Sequence, residues 1–374
     1  MNIKKINLTN FKAYQSQTFE LSKLSVFCGS NSVGKSTAIQ ALCIFFQSKF
    51  NDSDTLKING DLVTIGEISD VHNHSNRNDD QLIIGIDFNQ ISLQWGYTTP
   101  KQRDEASLNE LRLINTRSPS ITNFLLNNNF KIQYLSADRF GPKDNFPLSQ
   151  HAFHSNWLGT KGEFTIEVLQ RLIEVKTERF NDVNDQRKHP AARSIDKFVS
   201  IEAWMQEIAP GYTITPQTIG KANVAFNTIT PPNGMQTRSI NVGYGYSYTL
   251  SVVTALILAS AGDIVIIESP EAHLHPRGQS YLGRLILLTA LANVQVIIET
   301  HSDHVLNGIR LATRLSDNHT DDLAKVFFVK NENSQTNVDI LPIGAKGDLP
   351  SWPAGFFDQQ ALDIRSIISG VSIS

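Results

Sequence analysis

Apolar and polar residues alternate along this chain in blocks of two periods, and the blocks set its architecture. Ile3 to Leu8 alternates with period two, the mark of a half-buried strand, and Leu24 to Cys28 is a more uniformly apolar strand. A glycine-bearing loop follows, then a helix predicted over Lys35 to Gln47. Leu82 to Phe88 and Ile91 to Trp95 read as a hairpin joined at Asn89-Gln90, and Ile132 to Leu135 as a further strand. Glu163 to Phe180 and Ser194 to Ile208 carry helical periodicity, separated by the polar stretch Asn181 to Pro190. From Asn241 a glycine-rich turn leads into an apolar helix, Ser247 to Ala261. Strand Ile264 to Ile267, helix Gln279 to Leu291, strand Val294 to Ile298 and helix Asp303 to Leu315 follow in order. Short apolar strands alternating with helices specify a parallel sheet. The chain closes with a hairpin, Val326 to Val329 and Val338 to Leu341, and a short helix near Gln360 to Ile368.

With 374 residues, 40% of them hydrophobic, the chain exceeds one small domain. The reading is a core in two parts, residues 1–140 and 236–325. Between them lies an inserted helical subdomain with return strands, 141–235, and a small C-terminal domain, 326–374, follows. Net charge is −3, so any nucleic-acid contact must come from a local patch or a dimer groove. Cys28 and Cys43 both fall in apolar segments, which leaves no disulfide or zinc framework. The longest apolar run, Leu250 to Ala261, is too short to span a bilayer. The expectation is a cytoplasmic protein with no membrane partner.

One segment carries explicit chemistry. Gly29-Ser30-Asn31-Ser32-Val33-Gly34-Lys35-Ser36, followed by Thr37, is a complete G-x-x-x-x-G-K-S between a predicted strand and a predicted helix. Glycines let the backbone wrap tightly and aim its N–H groups at phosphate oxygens. The helix start adds positive potential. Lys35 places a charge on the β/γ-phosphates, and the Ser36 hydroxyl can ligate Mg2+. The expected cofactors are ATP and Mg2+.

A P-loop ATPase also needs an acid delivered beside the metal by a buried strand. Ile264-Val-Ile-Ile-Glu268 meets this, and Glu271 lies three residues on. Val296-Ile-Ile-Glu-Thr-His301 ends a neighbouring strand in histidine. Gly243-Tyr-Gly245-Tyr-Ser247 precedes a helix and suits an anion. The chain's own phosphate site is already built, so this turn reads as a cap for the nucleotide of a second subunit. An ordinary glycine turn with Ser247 as helix N-cap is the alternative.

The order of these motifs resembles the SMC, RecF and OLD branch of the ABC-type ATPases. Ile6-Asn-Leu-Thr-Asn-Phe-Lys-Ala-Tyr14 resembles the opening strand of that group. Residues 241–310 resemble stand-alone bacterial ATPases common in anti-phage defence, as do Tyr134-Leu-Ser-Ala-Asp-Arg139 and Gly159-Thr-Lys-Gly-Glu163. Trp352-Pro-Ala-Gly-Phe-Phe-Asp358 resembles that subgroup's C-terminal domain of unknown function.

The resemblance implies an α/β P-loop fold of ABC type, a mixed sheet flanked by helices with an inserted helical subdomain. Lys35 and Ser36 would bind phosphate and metal, Glu268 would be the Walker B acid and a metal ligand, and His301 the switch histidine. Gly243, Gly245 and Ser247 would act in trans as the signature, and Ala272 to His275 would be the D-loop. A Q-loop glutamine belongs near the insertion, where Gln133 stands.

Two departures bear on catalysis: Tyr248 replaces a polar signature residue, and Ser269 stands where a second acid polarises the attacking water. Glu268, Glu271 and His301 remain as catalytic candidates, with slow hydrolysis expected. The implied protein is an ATP-sandwich homodimer, or a higher oligomer, that switches or scaffolds a protein effector such as a nuclease. A RecF-like repair ATPase that binds DNA is the alternative, and RNA is a further partner class. A metal site built on His273, His275, His301 and His304 is a minor reading.

Overall fold

The computed structural model describes residues 2–48, 50, 54–77, 79–115, 118–127, 131–150, 153–176, 178–208, 210–318, 320, 322–332 and 335–370. Strands β1 (Lys5–Phe11) and β2 (Tyr14–Glu20) form a hairpin. β3 (Leu24–Gly29) runs through the phosphate loop into helix α1 (Lys35–Gln47). The hairpin β4 (Leu82–Asp87) and β5 (Ser92–Tyr97) adds to β1, giving a four-stranded antiparallel sheet in the order β2-β1-β4-β5.

The second sheet carries the chemistry. It contains β3, β6 (Ile132–Leu135), and later strands separated by helices. Helices α2 (Thr165–Val175) and α3 (Lys197–Ile208) come next, then the hairpin β7 (Thr213–Ile219) and β8 (Val224–Thr230). There follow α4 (Tyr244–Leu258), β9 (Ile264–Glu268), α5 (Pro276–Leu291), β10 (Gln295–Glu299) and α6 (Asp303–Leu315). The last strands are β11 (Ala324–Glu332) and β12 (Gln335–Pro342), before α7 (Gln359–Ser369). The order across the sheet is β12-β11-β3-β10-β9-β6; only β12 is antiparallel to its neighbour.

Period-two alternation divides the apolar residues between the two faces of this sheet. Val26, Val265, Ile267, Val296 and Ile298 pack against α4, α5 and α6, while Phe27, Ile266 and Ile297 face α1 and the antiparallel sheet. Leu169 of α2 and Ile201 and Trp204 of α3 lie in the first of these layers. The segment 141–235 therefore shares its apolar packing with α4 and α5. This is a mixed α/β fold in which one sheet is flanked by helices and by a second sheet.

Several boundaries move. The helix expected from Ser247 starts at Tyr244, with Gly243 as its N-cap. Ser247 is therefore inside the helix, and its reading as an N-cap is corrected. Tyr246, only 4% exposed, draws the first turn onto the core. The helix expected over Glu163 to Phe180 ends earlier, where Lys176 takes a left-handed φ of 50° and closes the last turn. Within 141–235, where return strands are expected without stated bounds, the structure has the hairpin β7–β8.

Candidate functional site

The β1–β2 turn clamps the phosphate loop. Tyr14 is buried by the aromatic cluster of Phe19 and Phe27, and its hydroxyl donates to the Gly34 carbonyl at 3.0 Å. Gly34 has φ 112°, and a Cβ there would lie 2.6 Å from that of Ala13. Only glycine satisfies both the left-handed backbone and the close approach. Gly29 ends β3, Ser30, Asn31 and Ser32 are exposed, and Val33 is buried with its carbonyl accepting from the Thr336 hydroxyl.

Gly34 caps α1 without a side-chain partner, and no acid occupies the first turn. The N–H groups of Lys35 and Ser36 and the positive end of the helix dipole are thus open to an anion, while the Thr37 N–H donates to the Gly34 carbonyl at 3.1 Å. Lys35 is 3% exposed; its ammonium donates to the Ser30 carbonyl and lies 3.9 Å from Glu299 Oε1. Burial lowers its pKa, and Glu299 opposes that shift.

Three parallel strands end at this loop, the usual place for a ligand in such sheets. β10 lies directly beside β3, and β9 lies one strand further away. Glu268 and Glu299 are register partners at the ends of β9 and β10. Glu268 accepts from the Tyr134 hydroxyl at 3.1 Å and from the Ala137 N–H at 3.2 Å. Glu299 accepts from the Ser36 hydroxyl at 2.8 Å, and His301 Nε2 lies 4.0 Å from its Oε1. Burial raises the pKa of both carboxyl groups, and Glu268 adds to the rise at Glu299. An oxygen-only set of hydroxyl and carboxylates fits the chemistry of Mg2+.

Glu271 is placed beside this group in a different role. Its carboxylate accepts from the Thr300 hydroxyl at 2.8 Å and from the His301 N–H at 2.7 Å, so it fixes the segment that carries His301. Gln133 also stays out of the site. Its side chain bonds the backbone at Tyr134, Leu158 and Gly159. The four histidines of the minor metal reading are not gathered: among the described residues no cluster of three or more His, Cys, Asp or Glu forms a metal site.

The turn 243–247 faces elsewhere. Gly243 and Tyr244 are exposed, and α4 starts with no side-chain cap. Tyr244 and Tyr248 pack on His273, with centroids 5.4 and 4.8 Å away. Gly245 lies against the same loop, where an added Cβ would sit 2.5 Å from the His273 carbonyl oxygen. Arg139, 2% exposed, ties the arrangement together. It donates to the carbonyls of Ser136, Glu268 and Ser269 and lies under the Tyr248 ring at 5.6 Å. Burial brings its pKa down to about 10.

Glu299 and Arg139 fall within the sequence motifs, yet the motifs alone assign them no role. For Glu299 a signal exists: like Glu268, it is an acid directly after an apolar strand. For Arg139 none does, because its partners are all backbone carbonyls brought in by the fold.

Comparison with known proteins accords with this geometry. Residues 1–157 and 160–306 match the AAA ATPase domain family, and residues 320–367 match a family described as a protein of unknown function, DUF3696. No curated protein matches the chain. Among solved structures, the Smc head domain with an extended coiled coil bound to the C-terminal domain of ScpA, from Pyrococcus furiosus, aligns at 13% identity. Its TM-score is 0.51, over 98% of this chain and 99% of that one. The SMC head domain from Thermotoga maritima aligns at 12% identity and TM-score 0.42, over 92% and 100%. An SmcHead bound to the C-winged helix domain of ScpA aligns at 13% and 0.49, over 92% and 99%. At such identities the likeness is one of fold. No helix among the described residues is long and apolar enough to cross a membrane. The family match spans most of the sequence and contains the phosphate loop and both acid-ended strands, so the chain belongs to the AAA ATPase domain family.

Proposed function

We propose that this protein binds ATP with Mg2+ at Gly29 to Thr37, hydrolyses it slowly, and uses the bound state to close a sandwich of two chains that signals to a protein effector. The observation that carries this reading is the junction of Lys35 and Ser36, at an uncapped helix N-terminus, with the acid-ended strands β9 and β10. Bound Mg2+ would supply charge neutralisation at the β/γ-phosphates, with Ser36 as one holder and the strand-end acids Glu268 and Glu299 as the candidate carboxylates beside it. Lys35 and the first N–H groups of α1 orient the phosphates. His301, positioned by Glu271, faces the same space and reports on the γ-phosphate. Ser269 cannot serve as an effective base at neutral pH, which favours a long-lived bound state.

The second half of the site is proposed to come from another copy. Gly243, Gly245 and Ser247 belong to a helix start that packs on His273 rather than on their own phosphate loop, and Gly243 leaves open space at that N-terminus. That arrangement supports a cap in trans. A head of this fold carries a partner protein domain in the Pyrococcus furiosus structure, which supports a docking role. The resemblance to stand-alone bacterial ATPases supports anti-phage defence with an effector such as a nuclease. A RecF-like grip on DNA, or on RNA, is the second reading, and its mark would be ATP-dependent, salt-sensitive nucleic-acid affinity. The test is calorimetry of ATP binding to wild type and Lys35→Ala. Binding lost in the variant, with folding intact, supports the reading; equal binding by both contradicts it.

A further inference from the structure

We propose that Glu299, at the end of β10, is the carboxylate that joins Ser36 as a direct ligand of the nucleotide's divalent cation. The inference rests on the ATP reading above and deepens it.

Strand order sets how far each acid is from the phosphate loop. The sheet order places β10 between β3 and β9. Neighbouring strands are about 4.8 Å apart. An acid at the end of β10 is therefore one strand from the phosphate loop, and an acid at the end of β9 is two. The side chains respect that order: Glu299 reaches the Ser36 hydroxyl, whereas Glu268 turns to Tyr134 and Ala137.

Mg2+ holds oxygen ligands at about 2.0–2.1 Å in octahedral geometry, so two adjacent ligands are about 2.9 Å apart. Ser36 Oγ and Glu299 Oε2 are 2.8 Å apart. A cation could contact both oxygens with little movement of either: the hydroxyl proton turns away and leaves a lone pair for the metal.

The Lys35 ammonium lies 3.9 Å from Glu299 with both side chains nearly fully buried. Phosphate draws Lys35 into its own contacts and adds negative charge beside a buried carboxylate. Glu299 then sits beside the phosphates, with a second acid, Glu268, at the neighbouring register position. A divalent cation between Glu299, Ser36 and the phosphate oxygens offsets that repulsion. Glu299 therefore opposes metal-free ATP and favours ATP with its metal.

The test measures ATP affinity by calorimetry with Mg2+ and with EDTA, in wild type, Glu299→Gln, Glu268→Gln and Glu299→Asp, after a melting curve shows each is folded. Wild type should bind ATP more tightly with Mg2+. Glu299→Gln should bind it in EDTA at least as tightly as wild type and lose about tenfold or more of the Mg2+ gain, the scale of disturbance typical at metal sites. Mn2+ paramagnetic resonance on the ATP complex should show the same loss without reference to turnover. Glu299→Asp keeps the charge but retracts it by one methylene, and should lose part of the gain; it carries the test if the Gln variant does not fold. A full Mg2+ gain in Glu299→Gln, with the loss confined to Glu268→Gln, would overturn this assignment and leave ATP binding intact. Failure of wild type to bind ATP under either condition would overturn the ATP reading, and this inference with it.

Discussion

Gly245 is held to glycine by its own chain, and the consequence can be measured without nucleotide. It is the second residue of α4, where glycine-to-alanine replacement normally gains about 1 kcal/mol of helix propensity. Here the new Cβ would lie 2.5 Å from the carbonyl oxygen of His273 and 3.4 Å from its carbon. A backbone atom cannot swing away as a side chain can, so the loop must move, and overpacking of this kind costs about 1–3 kcal/mol. Taking the upper end for so close an approach, Gly245→Ala should lose about 2 kcal/mol net of the propensity gain. Gly243→Ser is the matched control. Gly243 has φ −59°, a Cβ added there would meet nothing within 4 Å, and serine is a better N-cap than glycine. Its stability should therefore equal or slightly exceed wild type. Urea unfolding of the three proteins reads both effects as shifts in midpoint at constant slope. A Gly245→Ala protein as stable as wild type would refute the claim that the α4 start is fitted to the His273 loop.

Two further outcomes follow from the same geometry. Ser269→Glu places a carboxylate beside the acid-ended strands and should speed single-turnover ATP hydrolysis by about 10²–10⁴-fold; an unchanged rate would mean that water is activated elsewhere. Arg139→Gln leaves the carbonyls of Glu268 and Ser269 short of donors, each worth about 1–3 kcal/mol when buried, and should cost about 3 kcal/mol in urea unfolding. A loss below about 1 kcal/mol would show that water replaces the guanidinium.

Much of this architecture is legible wherever local signals agree. Helix α1 and strand β6 match their expected bounds, because a glycine-lysine junction fixes one and a short apolar run fixes the other. Strand β10 ends one residue later than its apolar run suggests, and that residue is Glu299. The start of α4 is hard to place because Gly243 and Gly245 signal a turn locally, while burial of Tyr246 extends the helix through Gly245. Pro216 and the polar threonines conceal β7, which pairs with β8 and buries Ile214 and Pro216 on one face. The phosphate loop is readable as a string. The separate duties of Glu268, Glu271 and Glu299 are not, because they depend on strand order and on partners at residues 36, 134, 137, 300 and 301.

In the proposed sandwich, ATP joins two chains through the α4 start of each. Gly243→Asp tests it with little cost to the monomer, since aspartate is a favoured N-cap and complements the helix dipole. In a closed sandwich the same carboxylate would meet a γ-phosphate, a like-charge contact that is severe once water is excluded. Light scattering with saturating Mg2+ and ATP is the direct measurement. Wild type should double in mass, while Gly243→Asp should bind ATP and remain at the mass of one chain. A wild type that binds ATP without changing mass, or a Gly243→Asp protein that doubles as wild type does, would contradict it.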